Sequence, residues 1–357
     1  MTAVLEYLRE LVALTGPSGA EVDVARAVAR LARPLADTVE VDAFGNVVAI
    51  QQAARPDARR LALAAHTDEI GFRVRAVDPD GFLRFEKVGG SDNRVLLGQR
   101  VWVRTARGRL LGVIGTRSAH LLRDADRTTI PPHTDQYVDI GARRRGRPPR
   151  GRAPWRPDRF RRRARGTRPG ERALHRPRAR RPRWLRGPAG TPRRPSGRPP
   201  PVTVVALFTV QEEVGLRGAR AVTGGQVCDV ALAVDTTALD DTPEIGTRYL
   251  RLGSGPAIKV MDFSLLAHPA VRRGLEDAAE RVGVAVQHEI LTGIGTDAGE
   301  LQFGGHGVPT GALSLGTRYT HSPIEVLDRR DLEGMVHLLR GFVEVLPDLD
   351  PRFIAEE

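Results

Sequence analysis

Residues 143–200 set the first limit on what this chain can fold into. They hold 23 arginines and 12 prolines, with Asp158 and Glu171 as the only acids. Proline removes a backbone donor and fixes φ, so regular helices and central strands are excluded there. The aliphatic content is too low to bury much surface, and the stretch is expected to be disordered. A packed core must therefore come from residues 1–142 and 201–357. The segment also sets the sign of the charge. The whole chain carries 55 basic and 43 acidic residues, a net +12. Outside the segment 32 basic residues face 41 acidic ones, a net −9. Two lysines against 53 arginines point to a GC-rich gene. GC-rich codons read out of frame give mostly Arg, Pro, Gly and Ala, and a frame error between two compensating indels is the preferred reading of 143–200. A solvated linker is one alternative. The other is an insert that binds nucleic acid or another polyanion.

The flanks have the texture of α/β with an interruption. Two helices are expected up to Arg33-Pro34, then strands over 38–41 and 47–50. Residues 61–65 form a short continuous apolar run, the mark of a buried strand. After Asp68 short alternating runs such as 82–85, 101–104 and 111–114 are punctuated by Gly81, Gly89, Gly90, Gly98 and Gly108. Closely spaced short strands with glycine turns read as a small β-barrel or sandwich. From Val202 the α/β texture returns, with strands expected over 202–210, 230–234, 284–290 and 311–315 and helices over 271–282 and 331–346. The expected class is α/β with a mixed sheet. One domain comprises 1–68 plus 201–357, a small β domain occupies 69–142, and 143–200 is anomalous.

Cys228 is the single cysteine, which excludes an intramolecular disulfide and fits a reducing compartment such as the cytoplasm. The first 16 residues place Glu6, Arg9 and Glu10 among leucines at helical spacing, an amphipathic helix rather than a signal peptide. No run of 18 apolar residues predicts a membrane span.

Chemistry-bearing residues gather at strand ends. His66 ends the run 61–65, with Asp68 two residues on, placed to hold an imidazole in one tautomer. Glu212 and Glu213 follow nine almost wholly apolar residues. Adjacent carboxylates repel and are normally separated by role or by a cation, one binding metal while the other acts as general base. Asp235 ends another apolar strand, where a carboxylate is costly unless solvated or paired with a cation. His321 follows the strand expected over 311–315. Each signal is weak alone. Together, two histidines and several carboxylates at strand ends suit zinc or a similar borderline ion. The two histidines argue against a glycan hydrolase, whose reaction needs two carboxylates flanking a sugar bond.

The phrases AHTDEIGF, FEKVGG, YVDIGA, TVQEEVGLRGA, AVDTT with DDTPE, GSGPAI, TDAGELQ and GVPTGALSLGTRYTHSPIEV occur in family order and span most of 1–142 and 201–357. On these the chain resembles the tetrahedral aminopeptidases, the glutamyl and leucyl aminopeptidases of which some relatives are labelled endoglucanases. The resemblance implies a cytoplasmic two-metal hydrolase acting on the N-terminal residue of peptides. His66 and Asp235 would hold one metal, and Glu213 and His321 the other. Glu212 would be the general base and Asp68 the partner of His66. Arg318 and Thr296 would line the substrate pocket. Zinc is the expected ion, with cobalt and manganese as alternatives. A large homo-oligomer, a dodecamer, is implied, with no membrane or nucleic-acid partner. The family also uses an aspartate bridging both metals in an Ala-Leu-Asp-x-Arg type motif. It should fall within 143–200 and is absent there, so reduced activity is expected. The competing expectation is a catalytically dead relative whose Arg-rich segment binds nucleic acid or polyanions.

Overall fold

The computed structural model describes residues 2–106, 108–142, 199–225, 228–243 and 249–353. Residues 143–198 lie outside them, and with them the expectations for that segment. The chain opens with α1 (Thr2–Leu11) and α2 (Val22–Ala32), then β1 (Thr38–Val41), β2 (Val47–Gln51) and β3 (Arg60–His66). A run of short elements follows: β4 (Gly71–Val77), β5 (Leu83–Val88), α3 (Asn93–Leu96), β6 (Arg100–Thr105), β7 (Gly108–Gly115) and β8 (Tyr137–Asp139). Then come β9 (Thr203–Thr209), α4 (Arg217–Thr223), β10 (Val230–Ala238), β11 (Ala257–Asp262), α5 (Pro269–Val282) and β12 (Gln287–Leu291). The last elements are α6 (Ala298–Leu301), β13 (Thr310–Arg318), β14 (Val326–Leu327) and α7 (Arg329–Val345).

These elements form two units, Met1–Ile70 with Thr191–Glu357, and Gly71–Gly190. The second carries a five-stranded antiparallel sheet in the order β4-β5-β8-β7-β6, the small β domain of the fold. Its core is Leu83, Phe85, Leu96, Ile114 and Val138. The first carries a nine-stranded mixed sheet ordered β1-β2-β9-β3-β10-β13-β11-β12, with β14 paired to β13. At its centre β9, β3, β10 and β13 run parallel. Strands buried on both faces need near-continuous apolar sequence, which is what 203–209 and 230–234 provide.

Alternation divides the two faces. Leu61, Val230 and Leu232 point to one side and meet Val271 and Leu275 of α5 and Leu338 and Phe342 of α7. Each fully buried Leu or Phe of this layer contributes roughly 1.5–3 kcal/mol. On the other side lie Ala62, Ala64, Ala231, Val205 and Leu207, with Val222 of α4 and Leu301 of α6. By period 2, His66, Thr209 and Asp235 continue this second face. Alanines beneath His66 and Asp235 leave room for the polar side chains above them.

Several boundaries differ from the sequence reading, among them the strand expected over 311–315, which spans Thr310–Arg318, and two have a clear cause. The strand expected to stop at Val234 runs on through Ala238, because Thr236 and Thr237 are β-branched and the ladder with β13 continues to the pair Ala238 and Thr317. The strand expected from Val284 begins at Gln287. Gly283 turns left-handed at φ +67° and the Val284 amide still donates to the Ala279 carbonyl, so this stretch caps α5 instead.

Candidate metal centre

Four neighbouring parallel strands deliver the site at their carboxyl ends, the position where open α/β sheets bind ligands. His66 is the last residue of β3 and sits opposite Thr209, the last of β9. Beyond Thr209 the chain turns sharply through Gln211 to Leu216. Asn46, fully buried, braces that turn: its Oδ1 accepts from the Val210 amide (3.0 Å) and its Nδ2 donates to the Gly218 carbonyl (3.1 Å). A Cβ on Gly218 would lie 2.3 Å from the Val210 carbonyl oxygen, so only glycine fits there. Asp68 holds the acidic pair from the other side. Its two oxygens accept from the amides of Glu212 (3.0 Å) and Glu213 (3.2 Å), and Ser18 Oγ donates to it at 2.6 Å.

The side chains then converge. His66 Nε2 is 3.5 Å from Asp235 Oδ1, and His321 Nε2 is 3.3 Å from Glu213 Oε2. One donor atom from each of His66, Glu212 and Glu213 lies within 4.8 Å of the others. His66 Nδ1 is 2.9 Å from the Asp68 main-chain carbonyl and 3.5 Å from its carboxylate, so Asp68 orients the ring chiefly through its backbone. Four residues other than glycine adopt left-handed backbone among the described residues: Gln211 (φ 56°), Leu216 (φ 54°), Tyr319 (φ 61°) and His321 (φ 60°). They bracket Glu212 and Glu213 and carry His321. Each costs on the order of 1–3 kcal/mol, and such strain clusters at functional sites. The His321 amide donates to Glu325 Oε1 at 2.8 Å, which holds that conformation.

Charge is crowded here. Burial pushes the Glu212 carboxyl up to about 9; His66 opposes the shift, and Asp235, Asp297 and Glu213 add to it. Burial pulls His66 down, but hydrogen bonding to Asp235 and Asp68 and the charges of Asp235 and Glu212 win, leaving it well above its usual range. Burial raises Asp68, yet His66, Ser18 and the Glu212 amide outweigh it and its carboxyl lies below the ordinary value. Asp297, 2% exposed, is raised to about 6, first by burial and then by Asp235 and Asp68, against the bond from Thr209 and the charge of His66. Its Oδ2 accepts from Thr209 Oγ1 at 2.5 Å, while its Oδ1 is buried with no hydrogen-bond partner. Two imidazoles, four close carboxylates and a buried carboxylate oxygen without a donor form a donor set that fits divalent cations.

Six of the residues named from the sequence therefore meet: His66, Asp68, Glu212, Glu213, Asp235 and His321. Two stand apart from that cluster. Arg318 directs both arms of its guanidinium at Asp241, with two bonds of 2.7 Å. Thr296 is fully buried, with Oγ1 3.4 Å from Asp262 Oδ2. Thr296 belongs to a dry network around Lys259. The Lys259 Nζ is 2.5 Å from Glu289 Oε1 and 3.6 Å from Asp262 Oδ2, and Thr237 Oγ1 donates to the same Glu289 oxygen at 2.8 Å. Sequence reading passed over Asp297, Thr209, Glu325 and Lys259. A signal existed for two of them: Asp297 opens the phrase TDAGELQ, and Lys259 interrupts an apolar run in a chain with two lysines.

The description "M42 glutamyl aminopeptidase" matches residues 45–147 and 194–338. The chain belongs to the M42 glutamyl aminopeptidase family. The break in the match falls inside the Arg/Pro-rich segment. The lysyl aminopeptidase of Pyrococcus furiosus is 30% identical, over 97% of this chain and 98% of that one. Among solved structures, aminopeptidase APDkam598 from the archaeon Desulfurococcus kamchatkensis superposes with a TM-score of 0.77 at 30% identity, covering 98% of this chain and 95% of that one. The Pyrococcus horikoshii TET1 peptidase, which can assemble into a tetrahedron or a large octahedral shell, gives 0.71 at 28%, covering 95% and 98%. As an M42 protein the chain is an aminopeptidase, a hydrolase of the metallopeptidase class, and its family works with divalent metals.

Proposed function

We propose that this chain is a metal-dependent aminopeptidase that removes N-terminal residues from peptides, and that its activity as written is reduced. The observation that carries the reading is the convergence of two imidazoles and four carboxylates at the ends of adjacent parallel strands. His66 with Asp235 would hold one divalent ion, and Glu213 with His321 the other. Zinc suits a set of imidazole and carboxylate donors. When bound, the ions supply Lewis acidity toward the scissile carbonyl and its attacking water. Glu212 takes a proton from that water on a carboxylate oxygen and delivers it to the leaving amine nitrogen. It can do so only when nearby positive charge offsets Asp235, Asp297 and Glu213, since alone it stays protonated near neutral pH. Asp68 keeps the Glu212 and Glu213 backbone and the His66 ring in place.

The sequence of 143–200 contains no Ala-Leu-Asp-x-Arg type motif. Groups that act as a unit lose several orders of magnitude together when one is removed, which is why we infer weak turnover. Likeness to the tetrahedral relatives supports a homo-oligomer, a dodecamer, and the single Cys228 is compatible with the cytoplasm. No helix among the described residues is long and apolar enough to cross a membrane.

The test is hydrolysis of chromogenic aminoacyl amides by the purified full chain, with zinc added or chelated. Slow, zinc-dependent cleavage of the free-amine substrates, with no cleavage of N-acetylated versions, supports the reading. Turnover on the order of 10 per second, the median for enzymes, would refute reduced activity. Indifference to chelation would refute metal dependence.

A further inference from the structure

Glu21 has no role in the reading above, yet its placement is costly. It is 5% exposed, and among the described residues no cation pairs with it. It stands at the N-cap of α2 but its side chain does not cap that helix. Instead its Oε1 accepts two amides from segments far apart in the chain, Gly19 at 2.7 Å and Gln211 at 3.1 Å. Both donors are left-handed, Gly19 at φ +76° and Gln211 at φ +56°. Glycine takes that conformation freely, whereas glutamine keeps it only where its neighbours over-determine it. The next two amides, of Glu212 and Glu213, donate to Asp68, which also accepts from Ser18 Oγ. Three consecutive amides, 211 to 213, therefore meet two carboxylates, the concave anion-holding arrangement that a left-handed turn creates. Ser18 and Glu21 come from one short segment, so residues 18–21 and Asp68 together clamp the backbone of the acidic pair.

We propose that Glu21 is a positioning residue of this centre: by holding Gln211 left-handed through its amide, it fixes the turn that presents Glu212 and Glu213. It acts through the backbone alone. A carboxylate suits the task because one oxygen must serve two amides from a buried position, and ionised acceptors make the shorter, stronger bonds. The proposal rests on the reading of Glu212 and Glu213 as general base and metal ligand.

The experiment compares the full chain with its Glu21→Ala, Glu21→Gln and Glu21→Asp variants, each stripped with chelator. Amide hydrogen exchange is resolved residue by residue at Gly19 and over 210–216, and zinc binding is followed by calorimetry. In Glu21→Ala the amides of Gln211, Glu212 and Glu213 should all exchange at least about 10-fold faster in the stripped protein. Zinc affinity should fall by about 10–100-fold. Glu21→Gln keeps an acceptor oxygen at the same reach and should recover part of both losses. A role confined to the start of α2 gives faster exchange at Gly19 and Gln211 only, with zinc affinity at the parental level. That result overturns the proposal while leaving the metal reading intact. A parent protein that takes up no zinc overturns both. Should Glu21→Ala fail to fold, Glu21→Asp decides, because its carboxylate is one methylene shorter and cannot serve both donors as before. Parental exchange at Glu212 and Glu213 together with parental zinc affinity in that variant refutes the idea.

Discussion

Loading the centre with metal should expel at least about one proton per chain at pH 7. The number comes from the charge crowding at the strand ends. With its carboxyl near 9, Glu212 carries a proton in ~99% of stripped molecules at that pH. Against the effect of burial, hydrogen bonds to Asp235 and Asp68 raise His66 well above its usual range. Asp297, near 6, adds about a tenth of a proton. A general base must be ionised, so the Glu212 proton leaves on loading, and any proton that His66 carries adds to the count. The release due to Glu212 and Asp297 should grow to about 1.5 at pH 6, where Asp297 is half protonated, and shrink as pH rises toward 9. Calorimetric zinc titrations in two buffers of different ionisation enthalpy count the protons directly. Heats that do not depend on the buffer at pH 7 would refute the reasoning. The same shift fixes a stability trend. The Glu212 carboxyl is raised in the folded state from 4.5 to about 9, so its contribution is fully present below 4.5 and is lost as pH rises through 9. The stripped protein should weaken across that window, and the loaded protein should not.

Two further expectations concern single side chains. Glu212→Gln should lower turnover by about 10²–10⁴ relative to the parent while zinc stoichiometry is retained; loss of zinc uptake would assign Glu212 to metal binding instead. Lys259→Met should destabilise the chain by about 3–5 kcal/mol in denaturant unfolding, because Glu289 and Asp262 are left buried without their cation. Adding Glu289→Gln should recover much of that loss, and a double variant no better than the single one would show that the ion pair is not the cause.

What could be read in advance was what depends on chain neighbours. Buried parallel strands must be apolar for several residues in a row, so a polar residue directly after such a run is conspicuous. His66 and the pair Glu212 and Glu213 were singled out this way, and His321 by its place a few residues past such a run. Asp235 was found as well, though its strand continues past it. What stayed hidden depends on distant partners. Asp297 is defined by Thr209, 88 residues away, and Lys259 by Glu289, 30 residues away. Arg318 shows the converse. The resemblance implied a place in the substrate pocket, and in the fold Asp241, 77 residues earlier, takes its guanidinium. No local periodicity encodes such pairs.

The four left-handed residues around the acidic pair and His321 bear on how this protein can change over evolutionary time. Glycine or asparagine at Gln211, Leu216, Tyr319 or His321 would relieve the backbone, so selection for robustness alone would drift toward them. Three of those replacements would leave every proposed ligand in place yet loosen the two turns that aim them. Lineages under pressure to survive heat, but not to cut peptides, should therefore lose geometry before they lose ligands. A homologue that keeps its histidines and carboxylates but has glycine at these turns would have the donors of the site without their rigid placement.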